Sequence, residues 1–581
     1  MQANLQSVAT HFPEEVAVAH PDSDLASMPL KFIGSSAEWS FPVVFLTSLV
    51  VLLLSLLFVL RIRRKLLMKL PPGPPTWPIV GSMFTIIRTR GRPSSRVFTT
   101  LAKRYGPLLF FWIGLRPTIV VSSAEMAMAI LRTCDRTFAS RPKFAPGKYL
   151  GYGYSNVVFA PSGPHFRLLR KLYASELLSP AKIERMLPLR MEEVGATIRC
   201  ILESVASADE QAKACVIDVR SLMLSANLNI IGRMLFSKRL FDLDTKPDTD
   251  VHDTADGLGV PAVSPRRKAA EEFKSFVKEA TKLIGGSFNA GDYIPALRWL
   301  DLQGVERTLR QFQPKIERLL LPLIQEHRRR HASAIKEKEN SDQLDFIGSL
   351  LVGHSELSDN NLIAISIDLL VGGSDSTAAS VEWTLAELLR HPDLLQKVQE
   401  ELDIVVGRQK MVTESDISKL LFFNCVIKES LRLHPPVPTG APHFSTSACT
   451  LGDYTIPPHT TAYVNIHAIN RDPTIWADPE AFRPQRFFDS CFNVYGQDFG
   501  LLPFSSGRRG CPGVHAALAN LKLMLASLLH SFSWTLPPSI PNPKDLDMRE
   551  RVGIVSPKLT PLQAIVRPRL PTDLILETLK T

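Results

Sequence analysis

The chain has 581 residues, and its shares of hydrophobic (45%) and charged (21%) residues are ordinary for a globular protein with a substantial core. Its formal net charge is +10, but the basic residues form no long patch interleaved with aromatic side chains, so we exclude nucleic acid as a partner and expect a membrane surface and an acidic protein. The seven cysteines form no CxxC pair and no zinc-ligand spacing, which excludes a disulfide framework and indicates a reducing compartment.

The N-terminal region predicts a membrane anchor. Residues 1–40 are polar and acid-leaning, which is typical of a short disordered extension. Residues 41–60 are uncharged and apolar, over about the length needed to cross a bilayer core. Basic residues follow at once, so we predict a single-pass transmembrane helix with the main domain in the cytosol. A cleaved signal peptide is the alternative, which the acidic lead, the long apolar run and the lack of a small-residue cleavage site disfavour.

After the anchor, the sequence predicts a hinge and one large domain. Residues 61–75 combine a basic stop segment with the run LPPGPP, whose prolines fix φ and favour a stiff connection. Residues 76–581 contain no linker rich in Pro, Gly and Ser that would divide their bulk, so we assign them to a single domain. Within it, residues 108–113 and 118–121 are apolar runs bounded by Gly and Pro and predict strands, whereas the pattern from about residue 165 is mostly helical.

A helix is predicted over residues 359–390, between a Ser-Asp cap and a His-Pro stop. Its segment VGGSDST, at 371–377, contains two adjacent glycines, each of which costs roughly 1 kcal/mol relative to alanine in a helix interior. A groove in which small molecules approach the backbone would offset that cost, and Asp375, Ser376 and Thr377 beside it would transfer protons. A plain helix kink, from the glycines and back-bonding hydroxyls, is the alternative.

A lone cysteine lies close to the C-terminus. Residues 504–513 read FSSGRRGCPG and place Cys511 directly before a helix-forming run. A thiolate at a helix start is stabilised by free N–H groups and by the positive end of the helix dipole. The neighbouring glycines would let the backbone approach a flat, bulky group, and Arg509 offers a fixed charge for an anion. An inert thiol is the alternative for a single cysteine.

This segment reads FxxGxRxCxG at every defined position and resembles the haem-binding signature of the cytochrome P-450 family. The resemblance covers about residues 70 to 570. It implies that Cys511 is the axial ligand of the iron of haem b, with Phe504, Gly507 and Gly513 at the haem and Arg509 at a propionate. Thiolate ligation of haem iron favours cleavage of an O–O bond.

Two more cations are implied to contact the haem propionates. The segment HFRLLR at 165–170 is similar to the family's WRxxR motif, with Phe166 where tryptophan is usual. Through this likeness Arg167 is expected to pair with a propionate. His443 stands where relatives often carry an arginine for the same purpose.

The glycine-rich helix segment is similar to the family's (A/G)Gx(D/E)T(T/S) motif. Gly373, Asp375 and Thr377 match it, while Ser376 stands where threonine is usual and so lacks the methyl group that restricts χ1. The resemblance implies that Asp375, Ser376 and Thr377 serve proton delivery during activation of dioxygen.

A third motif is structural. Glu429 and Arg432 lie at i and i+3 on one helix face, a spacing that is also common in solvated ion pairs. Followed by Arg486 in the run FRPQRF, they resemble the family's ExxR motif and its later arginine partner. The resemblance implies a buried network of Glu429, Arg432 and Arg486 that fixes the loop leading to Cys511. Gln485 replaces the glutamate that is common there, and nothing explains this change.

Together, the motifs imply a mainly α protein with a smaller β region, the cytochrome P-450 fold behind an N-terminal transmembrane helix, most like the plant microsomal type. The implied reaction inserts one oxygen atom from O2 into a small apolar substrate. Electrons would come from NADPH through a separate flavoprotein reductase, because the chain has no Gly-rich dinucleotide fingerprint. The expected location is the endoplasmic reticulum membrane. The expected substrate contacts are residues 152–156, 368–372, 437–440 and 553–555.

Two other functions remain open from the sequence. An isomerase or dehydratase of the same fold, acting on an oxygenated lipid, would need neither reductase nor proton delivery. A catalytically silent haem-binding membrane protein would consume no NADPH.

Overall fold

The computed structural model describes residues 43–49, 52, 55–56, 68–87, 91–207, 215–240, 265–285, 288–332, 344–354 and 356–578. The chain divides into two compact units, Met1–Ile62 and Arg63–Thr581. In the first unit residues 43–49 are helical, and their side chains are exposed and mostly apolar. The predicted extension at 1–40 and most of the predicted anchor at 41–60 lie outside the described residues.

The second unit is mainly helical, as predicted. Its described α-helices are α1 Met83–Ile87, α2 Ser94–Tyr105, α3 Ala124–Met128, α4 Asp135–Phe138, α5 Ala145–Tyr149, α6 Pro164–Leu172, α7 Pro180–Arg185, α8 Leu187–Ala206, α9 Val219–Phe236, α10 Pro265–Gly285, α11 Ala290–Tyr293, α12 Val305–Arg330, α13 Phe346–Gly353, α14 Asp359–Arg390, α15 Pro392–Val405, α16 Glu414–Ile417, α17 Leu421–Leu433, α18 Ile466–Ile469, α19 Val514–Ser531 and α20 Thr572–Thr578. Two π-helical turns cover Ala129–Thr133 and Tyr173–Leu177, and four 3-10 turns cover Pro295–Leu300, Pro484–Phe487, Gly507–Arg509 and Pro543–Asp545.

In the part of the chain that the structure describes, the smaller β region has three sheets. The strands are β1 Leu108–Ile113, β2 Arg116–Val121, β3 Cys215–Asp218, β4 His443–Phe444, β5 Cys449–Leu451, β6 Tyr454–Ile456, β7 Thr461–Val464, β8 Phe532–Thr535 and β9 Gln563–Pro568. They are ordered β1-β2-β7-β4 in the first sheet, β3-β9-β8 in the second, and β5-β6 in a hairpin. β2 and β7 are parallel, and the other pairs are antiparallel.

The apolar run of β1 is explained by burial of both faces of its sheet. Leu108 packs in the core cluster that contains Val121, whereas the next residue, Leu109, packs in the cluster that contains Val120. Successive side chains of a strand point to opposite faces, so a strand covered on both sides reads as a continuous apolar segment. The predicted strands at 108–113 and 118–121 are therefore the first two strands of this sheet.

Helix α14 runs through the core of the second unit. Among the described helices it alone is long and apolar enough to cross a membrane, yet 72% of its most apolar window is buried inside the protein. It packs against α9 and α19 and begins with a capping box in which Ser358 and Asn361 bond reciprocally. A helix that is apolar on most sides is a core helix when other helices cover it, and we assign α14 that role.

The segment that enters the Cys511 loop is fixed by a buried ion network. Glu429 and Arg432 on α17 are fully buried and form two hydrogen bonds, of 2.7 and 2.8 Å. Nε of Arg486 donates to the same carboxylate at 3.1 Å. The Asn470 side chain donates to the Arg432 carbonyl at 3.1 Å, and its Oδ1 accepts from the backbone N–H of Leu502 at 3.3 Å. These contacts connect α17 directly to the chain just before Phe504.

We expect Arg432→Met to lower the free energy of unfolding by about 3–5 kcal/mol, because the Glu429 carboxylate would stay buried without its main partner. Thermal and urea unfolding of the purified protein measure the change. Arg483→Ala is the matched control: its ion pair with Asp478 is more than half exposed on both sides, so its loss should cost less than about 1 kcal/mol. Equal stability of the two variants would contradict the assigned role of the network.

Candidate active site

A cavity of about 350 Å³ lies between α14 and the segment that carries Cys511. This volume is within the usual range for small-molecule sites. Helices α6, α9, α10, α14 and α19 form its walls together with loops at 156–159, 436–441 and 554–555, and most of the lining side chains are apolar. Each of the four segments predicted to contact a substrate contributes to this lining.

Cys511 is held at the wall of the cavity just before α19. Its backbone N–H donates to the carbonyl of Phe504 at 2.9 Å, which closes the loop. The Cys511 side chain is accessible, and this accessible surface faces the cavity. Burial within the protein raises the pKa of the thiol, and the Gly513 N–H and the charge of Arg170 partly oppose that rise. The sulfur is therefore open to a ligand in the cavity while protein surrounds it elsewhere.

The loop shape requires glycine at position 507. Gly507 has a φ of 68°, and a Cβ there would lie 2.1 Å from the carbonyl oxygen of Leu131. The loop thus packs directly on the π-helical turn Ala129–Thr133. Gly507 supports the loop from outside the cavity, whereas Phe504 and Gly513, the other two residues predicted at the haem, line the cavity itself.

Three arginines line the cavity near Cys511: Arg141, Arg170 and Arg509. Their guanidinium groups donate to backbone carbonyls, and none forms an ion pair with a carboxylate among the described residues. Burial, and then the charges of Arg141 and Arg170, lower the pKa of Arg509 to about 8. The Arg509 guanidinium also lies 3.5 Å from the centre of the Phe166 ring. Three cations without an acid form a receptor for an anion.

The structure corrects the predicted positions of two propionate contacts. Arg167 is exposed and does not line the cavity; Phe166 and Arg170 do, because residues at i and i+4 share a helix face. His443 is buried in β4 behind the cavity, with Nδ1 3.1 Å from the carbonyl oxygen of Phe138. Burial and the nearby Arg141 and Arg509 lower the pKa of His443 to about 3, so the imidazole is neutral. Two cavity arginines were not predicted from the sequence: Arg141, which no helical pattern marks, and Arg170, which lies in the HFRLLR segment.

The three residues of α14 predicted to deliver protons do not all face the cavity. Ser376 and Thr377 line the cavity, and their hydroxyls donate to the carbonyls of Gly372 and Gly373 at 2.6 and 2.8 Å. Asp375 is buried away from the lining, and its Oδ2 has no hydrogen-bond partner among the described residues. Burial raises the pKa of the Asp375 carboxyl. The structure thus brings the two hydroxyls, but not the carboxylate, to the cavity.

One further carboxylate lines the cavity. Asp368, two helical turns before Asp375, accepts hydrogen bonds from the Asn156 side chain at 2.7 Å and from the Val157 backbone at 2.8 Å. The Tyr173 hydroxyl donates to it at 3.3 Å. Burial raises the pKa of Asp368 to about 7. This side chain fastens the loop at 156–158 to α14.

The residues present fit an iron porphyrin. A cysteine sulfur is a soft ligand suited to iron, and a bound metal ion holds a coordinating thiol deprotonated in spite of its burial. The acid-free arginine cluster matches the carboxylates that such a macrocycle carries. Gly372 and Gly513 leave space at the two walls of the cavity.

Comparison with known proteins agrees with this fit. A family model described as Cytochrome P450 matches residues 71–562. Cytochrome P450 98A2 of Glycine max is 35% identical over 513 residues, covering 88% of this chain and 94% of that protein. Flavonoid 3'-monooxygenase of Arabidopsis thaliana is 35% identical (86% and 92% covered), and Cytochrome P450 750A1 of Pinus taeda is 37% identical (87% and 92% covered). The family indicated by the sequence motifs is confirmed: this chain belongs to the cytochrome P450 family.

Proposed function

We propose that this chain inserts one oxygen atom of O2 into a small apolar organic substrate held in the Cys511 cavity, with electrons from NADPH delivered by a separate membrane-bound flavoprotein reductase. The observation that carries the proposal is an accessible cysteine sulfur in an apolar cavity, beside three arginines that have no acidic partner among the described residues. As a member of its family the chain is a haem-thiolate monooxygenase. It uses haem as its cofactor, together with O2 and electrons derived from NADPH.

Bound haem supplies the oxidising chemistry, and the residues of this chain hold it and control protons around it. Cys511 would provide the sulfur ligand that holds the haem iron. Arg170, Arg141 and Arg509 would bind the propionates, with Arg170 in the place first assigned to Arg167. His443 is neutral and would therefore bind no propionate as a cation.

Proton delivery would begin at Asp375. Its raised pKa lets the carboxyl hold a proton closer to neutral pH than an exposed aspartate does. The Thr281 side chain lies near this carboxyl and lines the cavity, and its hydroxyl donates to the Val277 carbonyl at 2.9 Å. Ser376 and Thr377 line the cavity from α14. These hydroxyls would carry the proton from Asp375 to a group bound in the cavity.

The cavity lining supports an apolar substrate. Aliphatic and aromatic side chains dominate it, including Phe159, Ile231 and Phe346, so binding would be driven by burial of apolar surface. Two of the similar proteins are named as flavonoid 3'-monooxygenase and flavonoid 3',5'-hydroxylase. Flavonoids are therefore the first compounds to test, followed by other phenylpropanoids, terpenoids and fatty acids.

We place the protein in the endoplasmic reticulum membrane, held by the predicted helix at 41–60, with the catalytic unit facing the cytosol. An exposed apolar surface of that unit supports contact with lipid. Trp299 is 81% exposed and Leu302 is 59% exposed. Leu115, also exposed, donates its backbone N–H to the carbonyl of Tyr293 and so extends the same surface. Large exposed aromatic and aliphatic side chains of this kind are typical of membrane interfaces.

The direct test is incubation of the full-length protein with a flavoprotein reductase, NADPH and the compounds above under isotopically labelled dioxygen. We expect a product that carries one labelled oxygen atom. Conversion of an oxygenated lipid without NADPH would instead establish the isomerase or dehydratase alternative. Absence of both product formation and substrate-dependent NADPH consumption would favour the silent haem-binding alternative.

Cys511→Ala should abolish the red-shifted Soret band that a thiolate ligand produces in the carbon monoxide difference spectrum of the reduced protein. Removal of the sulfur leaves iron without its assigned ligand. Cys491→Ala is the matched control, because Cys491 is an exposed free cysteine that does not line the cavity. A wild-type spectrum from Cys511→Ala would overturn the assignment of the ligand.

Arg170→Leu should weaken haem retention about 10- to 100-fold, since a hydrogen bond to a charged group contributes about 1.5–3 kcal/mol. Transfer of haem to an acceptor apoprotein measures retention. Arg167→Leu, three residues away on the exposed face of α6, should behave as wild type. Weaker haem retention in Arg167→Leu, with wild-type retention in Arg170→Leu, would instead support Arg167 as the propionate contact.

Asp375→Asn should lower the rate of substrate oxidation about 10²-fold, the usual size of a lost acid–base contribution. Haem content and the carbon monoxide spectrum should stay unchanged. The solvent isotope effect on turnover should increase, because proton delivery becomes rate-limiting. Asp478→Asn removes an exposed carboxylate and serves as the control. A normal rate in Asp375→Asn would exclude this carboxyl from proton delivery.

A further inference from the structure

Two cysteines outside the active site lie next to each other in the fold. Cys134 ends the π-helical turn Ala129–Thr133, and Cys449 begins β5. They are 315 positions apart in the chain, yet both pack against the same core cluster, and their thiols are close enough to interact as donor and acceptor. Both are free and half-buried.

Two backbone hydrogen bonds join the segments that carry the two cysteines. The N–H of Thr446 donates to the carbonyl of Thr137 at 2.9 Å, and the N–H of Phe444 donates to the carbonyl of Ser140 at 3.0 Å. Cys134 lies three residues before Thr137, directly before helix α4, and Cys449 lies three residues after Thr446, at the start of β5. These contacts hold the two segments against each other, and a disulfide would require the two cysteine side chains to meet beside them.

We propose that Cys134 and Cys449 form a reversible disulfide, a redox-sensitive modification site on the support of the Cys511 loop. In a reducing compartment such a bond is transient and responds to the state of the thiol pool. The proposal concerns thiols that do not line the cavity and does not depend on the proposed substrate or on haem chemistry.

The oxidant we assign is a low-molecular-weight disulfide such as oxidised glutathione. The Cys134 thiolate attacks one sulfur of that disulfide, forms a mixed disulfide and releases one glutathione thiolate. The Cys449 sulfur then attacks the Cys134 sulfur, and the second glutathione leaves with the Cys449 proton. Two protein thiols thus lose two electrons, and one glutathione disulfide becomes two glutathione thiols. Burial and the adjacent Cys134 raise the pKa of Cys449 to about 11, so Cys134 is the attacking residue.

The bond would restrain the segment against which the ligand loop packs. The Leu131 carbonyl lies against Gly507, and Asp135 forms a 2.7 Å ion pair with Arg508. The Ala139 carbonyl accepts a hydrogen bond from Arg509 at 2.6 Å. These contacts all come from the nine residues 131–139, so joining Cys134 to the β5–β6 hairpin would stiffen the segment on which the Cys511 loop packs.

The test uses the haem-loaded, full-length protein in detergent, equilibrated over a series of reduced-to-oxidised glutathione ratios. Free thiols are then alkylated and the protein is digested without reductant. Mass spectrometry should find a Cys134–Cys449 cross-linked peptide that disappears after dithiothreitol. Exposed Cys491 should carry glutathione alone and serves as the internal control. Oxidation of Cys491 without any Cys134–Cys449 peptide at the most oxidising ratio would overturn the proposal.

Two single variants test the order of attack. Cys449→Ser should accumulate glutathione on Cys134, whereas Cys134→Ser should leave Cys449 free; the opposite result would overturn the assigned order. The thermal midpoint of the wild type should rise by several degrees on oxidation, and that of either variant should not. A cross-linked wild type with an unchanged midpoint and an unchanged carbon monoxide spectrum would refute the stiffening of the loop.

Discussion

The structure around Cys511 depends on one buried carboxylate. Glu429 accepts hydrogen bonds from two guanidinium groups and from the backbone N–H of Arg483. A charge with no solvent contact is stable only when its partners are fixed. Fixing Arg432 also fixes Asn470, and through it Leu502, which leads into the ligand loop. The position of the loop is therefore determined by contacts with α17, a helix that does not line the cavity.

In the cavity, unlike in the Glu429 network, the buried arginines have no carboxylate partner among the described residues. Arg141, Arg170 and Arg509 are satisfied by neutral carbonyls, so their positive charges are hydrogen-bonded but not neutralised. Burial depresses the pKa of Arg141 to about 10, and burial together with the charges of Arg141 and Arg170 depresses that of Arg509 to about 8, because a buried cation beside other cations is disfavoured. An anionic cofactor would reverse this effect. The buried network around Glu429 is complete within the protein, while the arginine cluster is completed by a ligand.

The features that could be predicted from the sequence are those that neighbouring residues in the chain determine. The signature around Cys511 and the spacing of Glu429 and Arg432 follow from local geometry, and so do the bounds of α14. Features that depend on how segments pack in three dimensions were not predicted correctly. Arg167 and Arg170 belong to the same segment, and only the direction of the α6 face separates them. Arg141 lies in a loop with no period, so nothing in the sequence marks it as a cavity residue.

The two adjacent glycines of α14 are next to each other in the sequence, but their surroundings in the fold differ. A Cβ on Gly373 would lie 2.8 Å from Cδ1 of Ile231, so the packing of α9 on α14 favours glycine there, although the end of this isoleucine side chain can shift. A Cβ on Gly372 would meet no atom within 4 Å, so packing does not explain it. Yet glycine costs roughly 1 kcal/mol relative to alanine in a helix interior. Gly372 lines the cavity, and its carbonyl accepts from the Ser376 hydroxyl. The compensation for Gly372 is therefore open space for a ligand against the helix backbone, at the turn that presents the Ser376 hydroxyl.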